Sequence, residues 1–215
     1  MPERGYNGFN QWRNPANRRL LADALGISEE RFVVPHQTHS DHVAFVEEPC
    51  EPEDTDAIIT TVQNLCVCVS TADCIPLLLY DNRQHVVAAV HAGWRGTVAR
   101  IAERTFAEMM MRCSTRGEDV RAVIGPGISL EAFEVGDEVF EAFSSAGFPM
   151  AQISKKYEKW HIDLWEANRL QLKACGISQI EVCGQCTFGN PDLYYSARRM
   201  GIQAGRILNG IMLKD

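Results

Sequence analysis

Strands gathered early and helices gathered later predict an α+β fold for this chain, a layered sandwich with mixed, largely antiparallel sheets. Two further observations sharpen that expectation. The apolar runs between residues 31 and 91 lie too close together to leave room for crossover helices, which parallel neighbours need. No G-x-G-x-x-G joins a strand to a helix and no Walker A loop occurs, so a doubly wound nucleotide-binding sheet is set aside.

Residues 15–25 open the order as a helix, with Asn14 as N-cap, Pro15 at the first helical position and Gly26 closing it. Six runs of strand length and β-branched content follow, at residues 32–34, 43–46, 57–61, 65–70, 75–80 and 85–91. The acidic, proline-bearing stretch 49–54 between them suits an exposed loop. Residues 97–112 read as one helix capped by Thr97, with apolar residues at 98, 101, 102, 106 and 109 on its buried face. A strand at 121–124 ends in Gly125-Pro126-Gly127. Residues 129–143 and 163–175 read as two more helices, Gly176 stopping the second, and 177–183 as a last strand.

With no repeat, low-complexity segment or linker, the 215 residues are read as a single domain, 1–215, long enough to bury a sizeable core. The net charge of −7 argues against nucleic acid as a partner, because a phosphate-backbone binder wants a basic face. No stretch approaches the roughly 20 apolar residues that span a bilayer, so no membrane is expected. Residues 1–10 lack the apolar core of a secretion leader. The eight cysteines are therefore read as reduced thiols in a cytoplasmic enzyme, monomer or homodimer, with Cys66 and Cys68 as small core residues.

Three stretches carry chemistry. Pro35-His36-Gln37-Thr38-His39-Ser40-Asp41-His42 holds half of the chain's six histidines, but an extended segment points His39 away from His36 and His42. Ser70-Thr71-Ala72-Asp73-Cys74 interrupts two very apolar strands and leaves a carboxylate and a thiol at a core edge. There the carboxylate needs a partner, and the cysteine is either inert packing or, as a thiolate, a nucleophile or soft metal ligand. Val90-His91-Ala92-Gly93-Trp94-Arg95-Gly96 ends a buried strand on a histidine and turns into a helix start. The free N–H groups there, aided by Arg95, make an anion pocket. Two imidazoles and a thiolate suit Zn²⁺ or another borderline-soft ion and leave one position open, the catalytic pattern. The spacings alone do not bring the three together. Two smaller signals remain. Cys183-Gly184-Gln185-Cys186 is read as loop and core cysteine rather than a redox pair, and Tyr194 to Arg199 sets aromatics beside guanidinium groups.

Taken in order, these pieces resemble the laccase-domain (multicopper polyphenol oxidase, YfiH-like) family of purine nucleoside phosphorylases. The matching segments are Gln37-Thr38-His39, Ala72-Asp73-Cys74-Ile75-Pro76, Val90-His91-Ala92-Gly93-Trp94-Arg95-Gly96, Ile124-Gly125-Pro126-Gly127-Ile128, Phe133-Glu134-Val135 and Tyr195-Ser196-Ala197-Arg198-Arg199. They span about residues 31 to 203. The resemblance implies an α-β-β-α sandwich and a zinc site held by His39, Cys74 and His91, with Cu²⁺ as an alternative ion. It also implies phosphorolysis of adenosine, inosine and S-methyl-5′-thioadenosine, with adenosine deamination as a second activity. A purine nucleoside and phosphate are then the partners. Cys74, His91, Asp73 and Arg95 are the expected catalytic residues, Asp73 moving a proton and Arg95 holding phosphate; Gln37, Arg95 and Arg198 are expected to contact substrate. The family's opening Thr-Arg-x-Gly-Gly segment is not found before Tyr6, and Ser40 stands where the family commonly has glycine. The laccase label itself is discounted, since a multicopper centre needs many more histidines than six. Two other readings stay open: a metal-free Cys74–His91 thiol hydrolase or amidase acting on an amide or cell-wall fragment, and a ligand-sensing module without turnover.

Overall fold

The computed structural model describes residues 14–214. The stretch 1–10, read as no secretion leader, and the region before Tyr6 lie outside them. The Asn14 side chain accepts the Ala16 N–H at 3.0 Å and caps α1 (Pro15–Leu25), which ends on Gly26 at φ 70°. The six early runs form β1 (Phe32–Val33), β2 (Val43–Phe45), β3 (Ala57–Thr60), β4 (Cys66–Thr71), β5 (Ile75–Asp81) and β6 (Val86–Ala92). After them come β7 (Val120–Ile124), β8 (Glu134–Val135), β9 (Ser154–Lys156), β10 (Trp160–Ile162), β11 (Gln179–Val182) and β12 (Ile207–Ile211). The helices of this half are α2 (Trp94–Val98), α3 (Ile101–Cys113), α4 (Asp137–Ser145), α5 (Met150–Ile153), α6 (Leu164–Ala174) and α7 (Ala197–Met200).

A six-stranded sheet runs in the order β11-β7-β5-β6-β3-β2; its three central pairings are antiparallel and its two outer ones parallel. A three-stranded sheet, β1-β4-β12, lies across it, and β8-β10-β9 form a small antiparallel sheet. Strand periodicity explains the layering, because alternate side chains leave opposite faces. In β6, Val86, Ala88, Val90 and Ala92 join the core beneath α3, α4 and α6, whereas Val87 and Ala89 join the core between the sheets. In β4, Val67 and Val69 face that inner core, while Cys66 and Cys68 pack with Ala22 of α1. The result is the α-β-β-α sandwich that the sequence led us to expect.

Two predicted helices need correction. Residues 97–112 are not one helix: α2 and α3 are separated by Arg100, which sits in the left-handed region at φ 64°. Tertiary contacts hold it there, since its guanidinium donates to Ala146 O at 2.7 Å and lies 3.8 Å from the Phe148 ring centroid. Thr97 is buried inside α2 rather than capping a helix, its Oγ1 accepting from Asn168 Nδ2 at 3.1 Å. Residues 129–143 likewise do not form a single helix. The chain turns at 129–133, pairs through β8 with β10, and only then enters α4 behind Gly136. In both cases packing overrides local propensity.

Candidate metal centre

The site forms at one end of the sandwich, where β6 ends, β4 turns into β5 and the β1–β2 connection folds over them. His91 follows Val87 and Ala89 in parity and pairs with Pro76 across the sheet. Its backbone N–H donates to Asp56 O at 2.7 Å, and its Nδ1 lies 2.6 Å from Asp56 Oδ1. Asp56, immediately before β3, is fully buried. Its carboxylate also accepts the backbone N–H groups of Thr38 (3.1 Å), His39 (3.1 Å) and Ser40 (2.7 Å), and the Ser40 hydroxyl at 2.7 Å. His39 is held at φ 62°, a conformation that costs a non-glycine residue about 1 kcal/mol or more. The hydrogen bonds to Asp56 offset that cost.

Gln37 fixes the other end of this loop. Its Nε2 donates to Ser70 O at 2.9 Å and its Oε1 accepts Ser70 N–H at 2.7 Å, so the amide mimics a strand partner for β4. Cys74 follows Asp73, which also has a positive φ, 92°. Asp73 Oδ1 accepts Thr187 Oγ1 at 2.6 Å and Oδ2 accepts the Arg198 backbone N–H at 2.7 Å. One carboxylate thus ties the β4–β5 turn to the segment before β12. Gly127 lets the neighbouring turn come close, since a Cβ there would sit 2.3 Å from Ile75 Cδ1 and 3.0 Å from Asp73 O.

These constraints bring His39, Cys74 and His91 together, with one donor atom from each lying within 4.8 Å of the others. The imidazoles meet edge to face, ring centroids 4.9 Å apart. Among the described residues this is the one cluster of three or more His, Cys, Asp and Glu side chains with metal-holding geometry. Burial would push the Cys74 thiol up, but the charge and hydrogen bonds of His91 and His39 overcome it and bring it down to about 6. Burial would likewise lower His91, yet Cys74 and Asp56 raise it to about 9. Asp56, stabilised by His91 and Ser40 against its own burial, falls to about 2. At neutral pH the three are carboxylate, imidazolium and thiolate, and a cation replacing the His91 proton completes the charge pattern. The donor set, one soft thiolate and two imidazoles, fits Zn²⁺.

Above the cluster opens a cavity of about 540 Å³, within the range of small-molecule sites. Ile128, Phe133 and Ile202 give it apolar walls, and Arg198 and Arg206 line it as well. Gln37 and Asp73 reach it too, whereas Arg95 does not. Arg95 is exposed, its guanidinium stacked 4.3 Å from the Trp94 ring centroid, and α2 is a five-residue helix. The predicted anion pocket at Arg95 is thus not where the cavity lies. His36 and His42 point outward to Glu53 and Asp54 at 3.1 and 3.0 Å. All eight cysteines carry free thiols. Sequence reasoning missed Asp56 and Arg206: Asp56 sits among exposed acidic neighbours, and only contacts across 16 to 35 positions reveal its role.

Residues 12–214 match the family model described as multi-copper polyphenol oxidoreductase laccase. The chain belongs to this family. It is 44% identical to a purine nucleoside phosphorylase of Bacteroides thetaiotaomicron, over 97% of this chain and 83% of that protein. It is 39% identical to adenosine deaminase RL5 of an unknown prokaryotic organism, over 97% of this chain and 85% of that one. The solved structure of a hypothetical protein, YfiH, from Bacillus licheniformis superposes with a TM-score of 0.87 at 31% identity, covering 93% of this chain and 80% of that one. No helix among the described residues is long and apolar enough to cross a membrane.

Proposed function

We propose that this chain is a metal-dependent enzyme acting on purine nucleosides. It carries out phosphorolysis of adenosine, inosine and S-methyl-5′-thioadenosine, with adenosine deamination as a second activity. The observation that carries this reading is a cavity of about 540 Å³, within the range of small-molecule sites, whose lining holds the three metal donors together with Arg198 and Arg206. Relatives named for these two activities support it.

His39, Cys74 and His91 hold the ion, Zn²⁺ by donor type with Cu²⁺ the alternative. When bound it supplies a Lewis acid that polarises an oxygen and lowers the pKa of water. Every other role falls to the chain. Phe133 and Ile128 offer an apolar wall to a planar base. Arg198, whose guanidinium lies 5.6 Å from the Phe133 ring centroid, and Arg206 supply positive charge for phosphate. Among the described residues Asp73 is the one carboxylate in the cavity lining, so proton transfer to a leaving nitrogen is assigned to it. Its bonds to Thr187 and Arg198 also hold α7 against the site.

A second reading has its own support. Asp56, His91 and Cys74 stand in the order carboxylate, imidazole, thiolate, the arrangement of a cysteine hydrolase acting on an amide. The deciding experiment incubates metal-loaded protein with adenosine, inosine and S-methyl-5′-thioadenosine, with and without phosphate, and separates products by chromatography. Free base plus a sugar phosphate, formed only with phosphate, supports the first reading. No turnover of any nucleoside, with rapid alkylation of Cys74 in metal-free protein and hydrolysis of an amide substrate, supports the second.

A further inference from the structure

The buried Asp56 carboxylate receives five donors from both histidine ligands' surroundings. Oδ1 takes His39 N–H and His91 Nδ1; Oδ2 takes Thr38 N–H, Ser40 N–H and the Ser40 hydroxyl. Both histidines of the cluster therefore answer to one side chain that reaches neither the cavity nor the donor positions. From this geometry we infer that Asp56 is the positioning residue that builds the metal centre before any ion arrives.

Two consequences follow from the bonding. A proton held on Nδ1 of His91 leaves its Nε2 as the donor facing Cys74, which fixes the ring's tautomer and direction. The three consecutive N–H groups converging on a charged oxygen pair hold residues 38–40 in a tight turn, and with it His39 in its left-handed conformation. Only a carboxylate satisfies both sets. An asparagine has one oxygen and one NH₂, so it must turn the NH₂ either toward His39 N–H and His91 Nδ1 or toward Thr38, Ser40 and the Ser40 hydroxyl. The first choice removes the Nδ1 proton from His91 and puts it on the nitrogen that should bind the ion. The second sets donor against donor and releases the 38–40 turn.

This inference rests on the reading of His39, Cys74 and His91 as a metal centre, and its test separates the two. Zinc affinity is measured by competition with a chromophoric chelator in wild type, Asp56→Asn and Ser40→Ala, alongside amide hydrogen exchange of the metal-free proteins. Asp56→Asn is expected to lower zinc affinity about 10- to 100-fold and to lose protection at the amides of residues 38–40. Ser40→Ala, which removes one donor of the five, is expected to lose far less. Unchanged affinity and unchanged protection in Asp56→Asn overturn the inference. A wild type that takes up no zinc sinks the metal-centre reading, while protection at 38–40 still decides whether Asp56 builds the turn. Should Asp56→Asn fail to fold, the wild type loaded with ¹¹³Cd and labelled with ¹⁵N-histidine decides. Coupling of the ion to His91 Nε2 supports the inference, and coupling to Nδ1 overturns it.

Discussion

Gly93→Ala tests the packing of the cluster with a single methyl group. Gly93 has φ −69° and ψ 170°, which alanine adopts without strain, so the substitution acts through space alone. The added Cβ would lie 3.0 Å from His39 Cδ2, 3.1 Å from Cys74 Sγ and 3.8 Å from His91 Cε1. Ordinary carbon contacts are about 3.5–4.0 Å, so two of the three donors' side chains must each move by roughly half an ångström. Overpacking of this kind costs about 1–3 kcal/mol. His39 is exposed and swings outward readily, which places the cost near about 1 kcal/mol for the metal-free fold, or about 2–4 °C in Tm for a chain of this size. The effect on metal binding is larger, because metal sites tolerate only about ±0.2 Å in ligand distance. An affinity loss of about tenfold or more, roughly 1.4 kcal/mol, is expected. Urea unfolding with and without zinc, together with chelator competition, separates the two terms. A variant that binds zinc as wild type does would refute the placement of His39 and Cys74 around Gly93.

Other consequences are open to measurement. In metal-free protein two opposed effects nearly cancel between about pH 6 and 9: the depressed Cys74 stabilises fully above its unfolded value and loses that effect as pH falls to about 6, whereas the raised His91 stabilises fully below its unfolded value and loses that effect as pH rises to about 9. Tm should therefore stay nearly level across that window and fall in acid as the Asp56 carboxylate, held down to about 2, takes up its proton; a Tm that rises or falls steadily across the window would contradict it. Because the His91 proton must leave on metal binding while Cys74 is already a thiolate, zinc uptake near pH 7.5, the middle of that window, should release at least one proton, counted by calorimetry in buffers of different ionisation enthalpy. Asp73→Asn removes a charge-assisted partner from Thr187 and from the Arg198 backbone, each bond being worth about 1.5–3 kcal/mol. Its kcat should fall by more than its zinc content. Arg198→Ala should weaken the phosphate dependence of turnover, while Arg95→Ala, whose guanidinium stacks on Trp94, should leave kcat/KM within about twofold and cost only about 0.5–1 kcal/mol of stability.

Much of the fold was legible because its central strands are short, apolar and closely spaced, so β2 to β6 follow from hydrophobic runs alone. α1 was legible from both ends, Asn14 capping it and Gly26 stopping it, and α6 from its stop at Gly176; Asp163, read as helical, is instead the residue whose side-chain oxygen caps α6. The break at Arg100 was hidden, since no glycine or proline marks it and the contacts that hold it come from residues 146 and 148. β12 was hidden for a related reason: Asn209 and Gly210 weaken its strand character, yet Gly210 is needed where the Cys66 and Cys68 sulfurs pack, 3.1 and 2.5 Å from a Cβ placed there. At the site, residue types identified His39, Cys74 and His91, but spacing said nothing about their meeting. Arg95 lies outside the cavity lining and stacks on Trp94, a placement the sequence does not signal, because a guanidinium beside a helix start looks the same whether it faces a ligand or the preceding indole. Asp56, which orders two of the three donors, carries no local signal at all.

Zinc K-edge X-ray absorption on protein loaded with one equivalent of zinc tests the central claim most directly. One sulfur at about 2.3 Å and two imidazole nitrogens at about 2.0 Å, with the sulfur lost in Cys74→Ala, is the result expected of a His39–Cys74–His91 centre. A first shell without sulfur, or one unchanged in Cys74→Ala, would contradict it.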